Sequence, residues 1–417
     1  MHSKTYCPYP FSHIAIDTDG AKTLCCVSAR HNKTIPPMDS RVNQPINDYW
    51  NSKKLNKIRK ELLLGERPNE CKTCWDFEDK NITSERMQIL HKVTNDLSQE
   101  EKQIIDDNIE SVKNNDVMAH PPFSWDIKFG NLCNLTCIMC DSTKSSQINK
   151  EAKRHKHLPY YPHNEIDQST MDWPIENTFW NDFNNVVSSI KYLKVTGGEP
   201  LLNETYIEFL KKLPTNTSNS IITNGTKITE EMITNIFARF NPCVHINVSL
   251  DGIDSNYEYI RYPARWKLVE ENIKLLLKYN MDITVNPTFQ LHNAFNYFEI
   301  LKWAESLNIV CTQGAFVFGK SYLSVDCLTD SMKKELKEYY IKGKDKLNNI
   351  NHKHMVKNVI NYLSKETDPE IIKQNSRMLV RYTKTYNKIR NVSFEQSCPQ
   401  EWNLVKEYFN DNSSTSN

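Results

Sequence analysis

Three of the twelve cysteines fall within eight residues, as Cys133, Cys137 and Cys140 in the segment CNLTCIMC. Thiolates this close along the chain can converge on one centre, and sulfur ligands suit zinc or iron–sulfur clusters. The segment directly follows a β-rich run at 125–129, which places the three thiols on a short loop leaving a strand. A closed zinc site needs a fourth protein ligand. No Cys or His follows Cys140 at finger spacing, the next candidate being His155 in a basic helical run. The pattern therefore favours a cluster with three protein ligands and one open position.

A second group lies near the start: Cys7, Cys25, Cys26, Cys71 and Cys74. Residues 12–17 alternate like a strand and Asp19-Gly20 is a hairpin turn, so a hairpin would bring Cys7 near Cys25. An amphipathic run from Tyr49 and Trp50 through Leu55, Ile58 and Leu62 ends at Gly65, a helix stop. Cys71-x2-Cys74 then supplies a pair, and Cys7, Cys25, Cys71 and Cys74 would complete a four-thiolate site. Cys26 or Cys398 can stand in as ligand, and iron–sulfur and zinc both remain open. The opening MHSKTYCPYPF has no apolar core of a secretory leader, so the chain is expected in the cytoplasm, where clustered thiols serve metals rather than disulfides.

Charge and hydropathy narrow the partners. Lys and Arg total 52 against 51 Asp and Glu, a net charge of +1, so no long-range field draws the chain to nucleic acid or an acidic membrane. The mean hydropathy is −0.63, and the lack of a long apolar run excludes a membrane span. After Pro122, candidate strands at 125–129, 191–196, 220–223, 245–250, 282–290 and 310–318 alternate with helical patterns such as Trp266, Val269, Ile273, Leu276 and Leu277. Six βα units predict a parallel sheet, doubly wound or curled into an open barrel, with ligands at the C-terminal strand ends. Residues 83–120 read as a helical linker. The region from 331 reads as helical with a solvated Lys-rich face and a frayed tail, NDNSSTSN. Residues 158–183, rich in Pro and aromatics, read as a surface insertion or a lid.

The strand ends carry further motifs. They are Gly197-Gly198-Glu199-Pro200 after the second strand, Thr223-Asn224-Gly225 after the third and Ser249-Leu250-Asp251-Gly252 after the fourth. With Cys133, Cys137 and Cys140 in C-x3-C-x2-C, their order resembles the radical S-adenosylmethionine (SAM) superfamily over about 123–322. The resemblance implies a partial (β/α)6 barrel within 121–325 and a [4Fe–4S] cluster on the three cysteines. Reduction of SAM at that cluster would give a 5′-deoxyadenosyl radical that abstracts hydrogen from a substrate. Gly197, Gly198 and Glu199 would meet the methionine amino group, while Asn224, Ser249 and Asp251 would approach the ribose and methionine portions. Arg261 would pair with the SAM carboxylate, and Met139 would pack near adenine.

The first 82 residues resemble the twitch form of the SPASM auxiliary-cluster module, with its cysteine, spacer, Gly-x4-Cys and later Cys-x2-Cys. That implies a second [4Fe–4S] cluster on Cys7, Cys25, Cys71 and Cys74, although such modules usually follow the barrel. The family further implies a flavodoxin- or ferredoxin-type electron donor and a peptide or small-molecule substrate. The expected organisation is an α/β chain with the module at 1–82, a linker at 83–120, the core at 121–325 and a helical C-terminal region at 326–417. An RNA-base-modifying enzyme and a non-catalytic iron–sulfur or zinc protein are the alternative readings. Sequence names neither the substrate nor the oligomeric state.

Overall fold

The computed structural model describes residues 3–28, 44–79, 83–114, 116–158, 161–175, 177–240, 242–312, 316–317 and 319–410. The expected frayed tail lies almost entirely outside them. The chain divides into two compact units, the first made of Met1–Leu132, Asp167–Ile221 and Arg239–Cys243, the second of Cys133–Ile166, Ile222–Ala238 and Val244–Asn417.

In the first unit, β1 (His13–Ile16) turns at Gly20 into β2 (Lys22–Thr23). The two pair antiparallel, which is the expected hairpin. Gly20 has φ +76°, and a Cβ there would come within 2.7 Å of the Trp173 ring. Trp173 in turn donates its indole N–H to Thr18 O at 3.1 Å. That part of the proline- and aromatic-rich tract is thus packed against the hairpin instead of lying loose on the surface. The other edge of β1 pairs in parallel with β3 (Ser124–Lys128), His13 opposite Ser124. The sequence had not suggested this pairing. Beyond β3 come β4 (Tyr192–Thr196) and β5 (Ser218–Thr223), both parallel.

Side chains alternate across such a sheet. Ile14, Ile16, Trp125, Ile127, Leu193 and Val195 are buried on one face. Phe129 extends it against Tyr206 and Phe209, with ring centroids at 5.5 and 5.0 Å. The expected amphipathic run after Tyr49 forms two helices, Ile46–Trp50 and Lys53–Leu64. They separate at Ser52, whose side chain caps the second, and Gly65 ends it with φ +90°. The linker region carries the helices Glu85–Asn95 and Gln99–Asn114.

The second unit holds β6 (Val244–Ser249), β7 (Asp282–Asn286) and β8 (Val310–Cys311), again parallel. β7 and β8 are shorter than the sequence suggests, since among the described residues only Phe289 and Phe316 bridge beyond them. Pro287 lacks the amide hydrogen that would extend the ladder, and residues 313–315 and 318 lie outside the described set. The helix Trp266–Lys278 buries Trp266, Val269, Ile273 and Leu276, the stripe that the three-and-four spacing predicts. Helices Asp330–Lys344, Ile350–Leu363 and Pro369–Arg390 follow. No helix among the described residues is long and apolar enough to cross a membrane.

Candidate cluster and cofactor site

The loop bearing Cys133, Cys137 and Cys140 is held through its own backbone. Thr136 N–H donates to Tyr262 O at 2.7 Å and Ile138 N–H to Ile260 O at 2.9 Å. Ser145 Oγ donates to Leu135 O at 2.6 Å, and Cys133 N–H donates to Ser146 Oγ at 3.2 Å. The Leu135 N–H points to Cys133 Sγ at 3.4 Å. Asn224 ties the loop to the end of β5, its Nδ2 donating to Asn134 Oδ1 at 3.0 Å while its Oδ1 accepts from Thr226.

The sequence missed the other side of this frame. Along the helix Pro369–Arg390, Tyr382, Tyr386 and Arg390 recur every four residues and so share one face. Tyr382 OH donates to Ile138 O at 3.1 Å, Tyr386 OH to Thr136 O at 2.8 Å, and Arg390 Nη1 to Thr136 O at 2.6 Å. Arg390 also forks onto the Glu151 carboxylate at 2.8 and 3.1 Å. Lys320 Nζ adds bonds to Cys140 O and Ile138 O. The Lys-rich run does face solvent, with Lys373, Lys384 and Lys388 exposed, while the buried face of the same helix clamps the cysteine loop.

Electrostatics at the loop suit anionic sulfur. Hydrogen bonding between Cys137 and Cys140 raises the first thiol and lowers the second, and Arg261 favours the thiolate of both. Arg261 Nη1 lies 4.0 Å from Cys137 Sγ. Its Nε and Nη2 bind Asp251 Oδ2 at 2.8 and 2.7 Å. Burial lowers the guanidinium, and Asp251, Cys137, Tyr257 and Cys140 together more than reverse that. Asp251 is fully buried, and its Oδ1 accepts from Thr288 N–H at 2.7 Å. Both of its oxygens are thus engaged within the protein. Ser249 and Met139 are half-buried.

In the first unit, Gly197 and Gly198 dock the end of β4 onto the chain before the cysteines. A Cβ at Gly198 would come within 2.2 Å of Leu132 O, and one at Gly197 within 3.0 Å of Gly130 O. What the bare backbone spares here is the protein's own loop, an unforeseen use of the pair. Glu199 N–H donates to Leu132 O at 2.7 Å, and the Glu199 carboxylate caps the following turn at Leu201 N–H, 3.0 Å away.

The same unit gathers the early thiols. Cys25 interacts electrostatically with Cys7 and Cys71, and Cys7 and Cys71 each with Cys74. Burial pushes Cys7 up to about 12 and raises Cys25, Cys71 and Cys74. Backbone N–H groups of Tyr9, Val27 and Arg86 point at Cys7, Cys25 and Cys74. The Arg86 guanidinium favours the thiolates of Cys7 and Cys71; sequence reading missed this cation. Cys26 interacts with Cys25 more strongly than Cys7 or Cys71 does, and also with Lys194, Glu85 and Asp126. Cys398 is fully buried, and burial raises its thiol.

Among the described residues, no three His, Cys, Asp or Glu side chains are arranged to hold a single metal ion. A cubane spreads its thiolates over different irons and needs them further apart than one ion does, so both cysteine sets suit a cluster's donor chemistry.

Parallel strands with a three-cysteine loop after one and a Gly-Gly-Glu turn after the next define a class of cluster-binding α/β protein. Residues 127–303 match the radical SAM superfamily model, and residues 7–75 match SPASM, an iron–sulfur cluster-binding domain. The chain is a radical SAM superfamily protein with an N-terminal SPASM domain, and its cofactors are accordingly a [4Fe–4S] cluster and SAM, with the SPASM domain suggesting an auxiliary cluster. No curated protein matches it in sequence. Among solved structures, one described as native anSMEcpe with bound AdoMet is 18% identical over 54% of this chain and 61% of its own, with a TM-score of 0.34. Streptococcus suis SuiB bound to precursor peptide SuiA is 15% identical over 71% of this chain and 61% of its own, with a TM-score of 0.38. The chain thus spans about three fifths of the length of the solved structures it matches.

Proposed function

We propose that the chain binds SAM at a [4Fe–4S] cluster held by Cys133, Cys137 and Cys140, and cleaves it to abstract hydrogen from a peptide or small-molecule substrate. The observation that carries this reading is the cysteine loop itself, pinned through its backbone and facing a buried Arg261–Asp251 pair, with no fourth protein ligand among the described residues. When bound, the cluster supplies the electron that splits SAM into methionine and a 5′-deoxyadenosyl radical.

The protein's part is placement and charge. Arg261, oriented by Asp251, sets a fixed cation beside Cys137 and in reach of a carboxylate. The Leu135 N–H lowers the electron density on Cys133 Sγ. As the family resemblance implies, Gly197, Gly198 and Glu199 would meet the methionine amino group, Asn224, Ser249 and Asp251 would approach the ribose and methionine portions, and Met139 would pack near adenine. Burial of the cysteines keeps water from the reacting atoms. Cys7, Cys25, Cys71 and Cys74 would hold the auxiliary cluster, and a flavodoxin- or ferredoxin-type protein would deliver the electron.

The test is anaerobic. Protein reconstituted with iron and sulfide, reduced and given SAM should release 5′-deoxyadenosine, and Cys137→Ala should abolish it. No nucleoside from protein whose cluster is present and reduced sinks the reading. Iron counts test the second site: about eight irons per chain should fall to about four in Cys71→Ala/Cys74→Ala, whereas stoichiometric zinc overturns an auxiliary cluster.

A further inference from the structure

The face of β1, β3 and β4 opposite the Trp125 side is polar. Strand alternation places His13, Ala15 and Asp17 of the β1 chain on it, with Ser124, Asp126 and Lys128 from β3 and Lys194 from β4. Two buried atoms there have no hydrogen-bond partner: His13 Nε2 and Asp126 Oδ1. Their residues are only 6% and 4% exposed. An unmade hydrogen bond on a buried polar atom costs about 1–3 kcal/mol, so two on one face of adjacent strands call for an explanation.

Cys26 and Lys92 also face the pair, and the nearest hydrogen-bonding groups are engaged. His13 Nδ1 pairs with Ser124 Oγ at 2.9 Å. Burial holds the imidazole neutral, with its pKa lowered to about 4. The contact fits either tautomer, and we assign the one in which the Ser124 hydroxyl donates to Nδ1, so that Nε2 carries the ring proton as an unused donor. The Tyr9 ring stacks on the imidazole at 4.3 Å, and Tyr9 OH is fixed by Glu85 at 2.9 Å. Asp126 Oδ2 faces Lys194 Nζ at 3.5 Å, leaving Oδ1 as an unused acceptor. Lys128 is occupied by Asp17 at 3.1 Å. The Lys194 side chain, beside Asp126, is 45% exposed.

A donor and an acceptor, unused and on neighbouring strands, match an amide, which offers one N–H and one C=O. We propose that His13 and Asp126 form a recognition dyad for an amide group of the substrate, the N–H donating to Asp126 Oδ1 and the C=O accepting from His13 Nε2. This deepens the proposed function by giving the substrate's chemistry, and it rests on that function for its role but not for the binding itself. The amide is either a peptide bond or an Asn or Gln side chain.

Binding is measured on the full-length reconstituted protein, labelled with 15N-histidine, by following the His13 Nε2 resonance. Three small probes are used: N-methylacetamide for a backbone amide, acetamide for a side-chain amide, and methyl acetate, which lacks the N–H. At least one amide should shift the resonance saturably and bind about tenfold tighter than the ester, the cost of about one hydrogen bond. Preference for N-methylacetamide identifies a peptide bond, and preference for acetamide a side chain. In Asp126→Leu, which has no acceptor, the preference over the ester should collapse while circular dichroism shows the chain still folded. Equal binding of amide and ester overturns the dyad, as does retention of the preference in a folded Asp126→Leu. No SAM cleavage enters the readout, so failure of the proposed reaction and failure of the dyad are seen separately.

Discussion

At Gly198 a single hydrogen atom's worth of space decides the geometry before the cysteine loop. Ala would bring a carbon within 2.2 Å of Leu132 O, and the loop carbonyl must move. Because displacement by about 1 Å can cost about 100-fold in rate, Gly198→Ala should lower 5′-deoxyadenosine formation by about that factor while the chain stays folded by circular dichroism. The Arg261–Asp251 pair behaves differently. Asp251→Asn leaves a buried guanidinium unpaired, a loss of about 3–5 kcal/mol. The double change Asp251→Leu/Arg261→Met should recover much of it, as read from denaturation midpoints. These residues were legible in sequence because each belongs to a short motif at a strand end. Their partners were not: that Arg261 is bound by Asp251, ten positions away, depends on the turn after Asp254–Ile260, which no local pattern encodes.

At the scale of elements, the helix Pro369–Arg390 is the part that sequence reading undervalued. Its Lys-rich surface reads as solvated, and the anchoring falls to Tyr382, Tyr386 and Arg390, whose acceptors are backbone carbonyls. Carbonyls leave no trace in a sequence, so a side chain that binds one looks like any other. The alternating strands and the stripe of Trp266–Lys278 were readable because burial imposes a period on side-chain type. Tyr382→Phe/Tyr386→Phe removes two bonds worth about 1 kcal/mol each without changing ring packing. The expected outcome is faster loss of iron to a chelator from the cluster at Cys133, Cys137 and Cys140, with the SPASM site unaffected; the Cys71→Ala/Cys74→Ala background isolates the signal. Unchanged iron release would show that the clamp does not hold the loop.

Across the whole molecule, several histidines are buried without charge. Burial lowers His13 to about 4 and His292 to about 3. Their folded-state values lie below the unfolded value of about 6.5, so the unfolded chain binds protons more readily. The stability they contribute is fully present above about pH 6.5 and is lost as pH falls toward their folded values. His292 lies between Tyr259 and Phe394, at ring distances of 5.5 and 4.6 Å, so His292→Phe fits the site. The variant should lose less melting temperature than the parent between pH 7.5 and pH 5.5, measured anaerobically. An equal loss in both would place the acid sensitivity elsewhere.

The parallel pairing of His13 with Ser124 spans 111 positions, and it sets an order in time. During synthesis the first hairpin emerges with one edge open, and it stays open until β3 has left the ribosome. An open edge is where chains join wrongly, so a fragment ending before residue 124 should aggregate. The early cysteines, first to be made, would then wait for a strand from the core before their surroundings are complete. Any iron bound there would then arrive late.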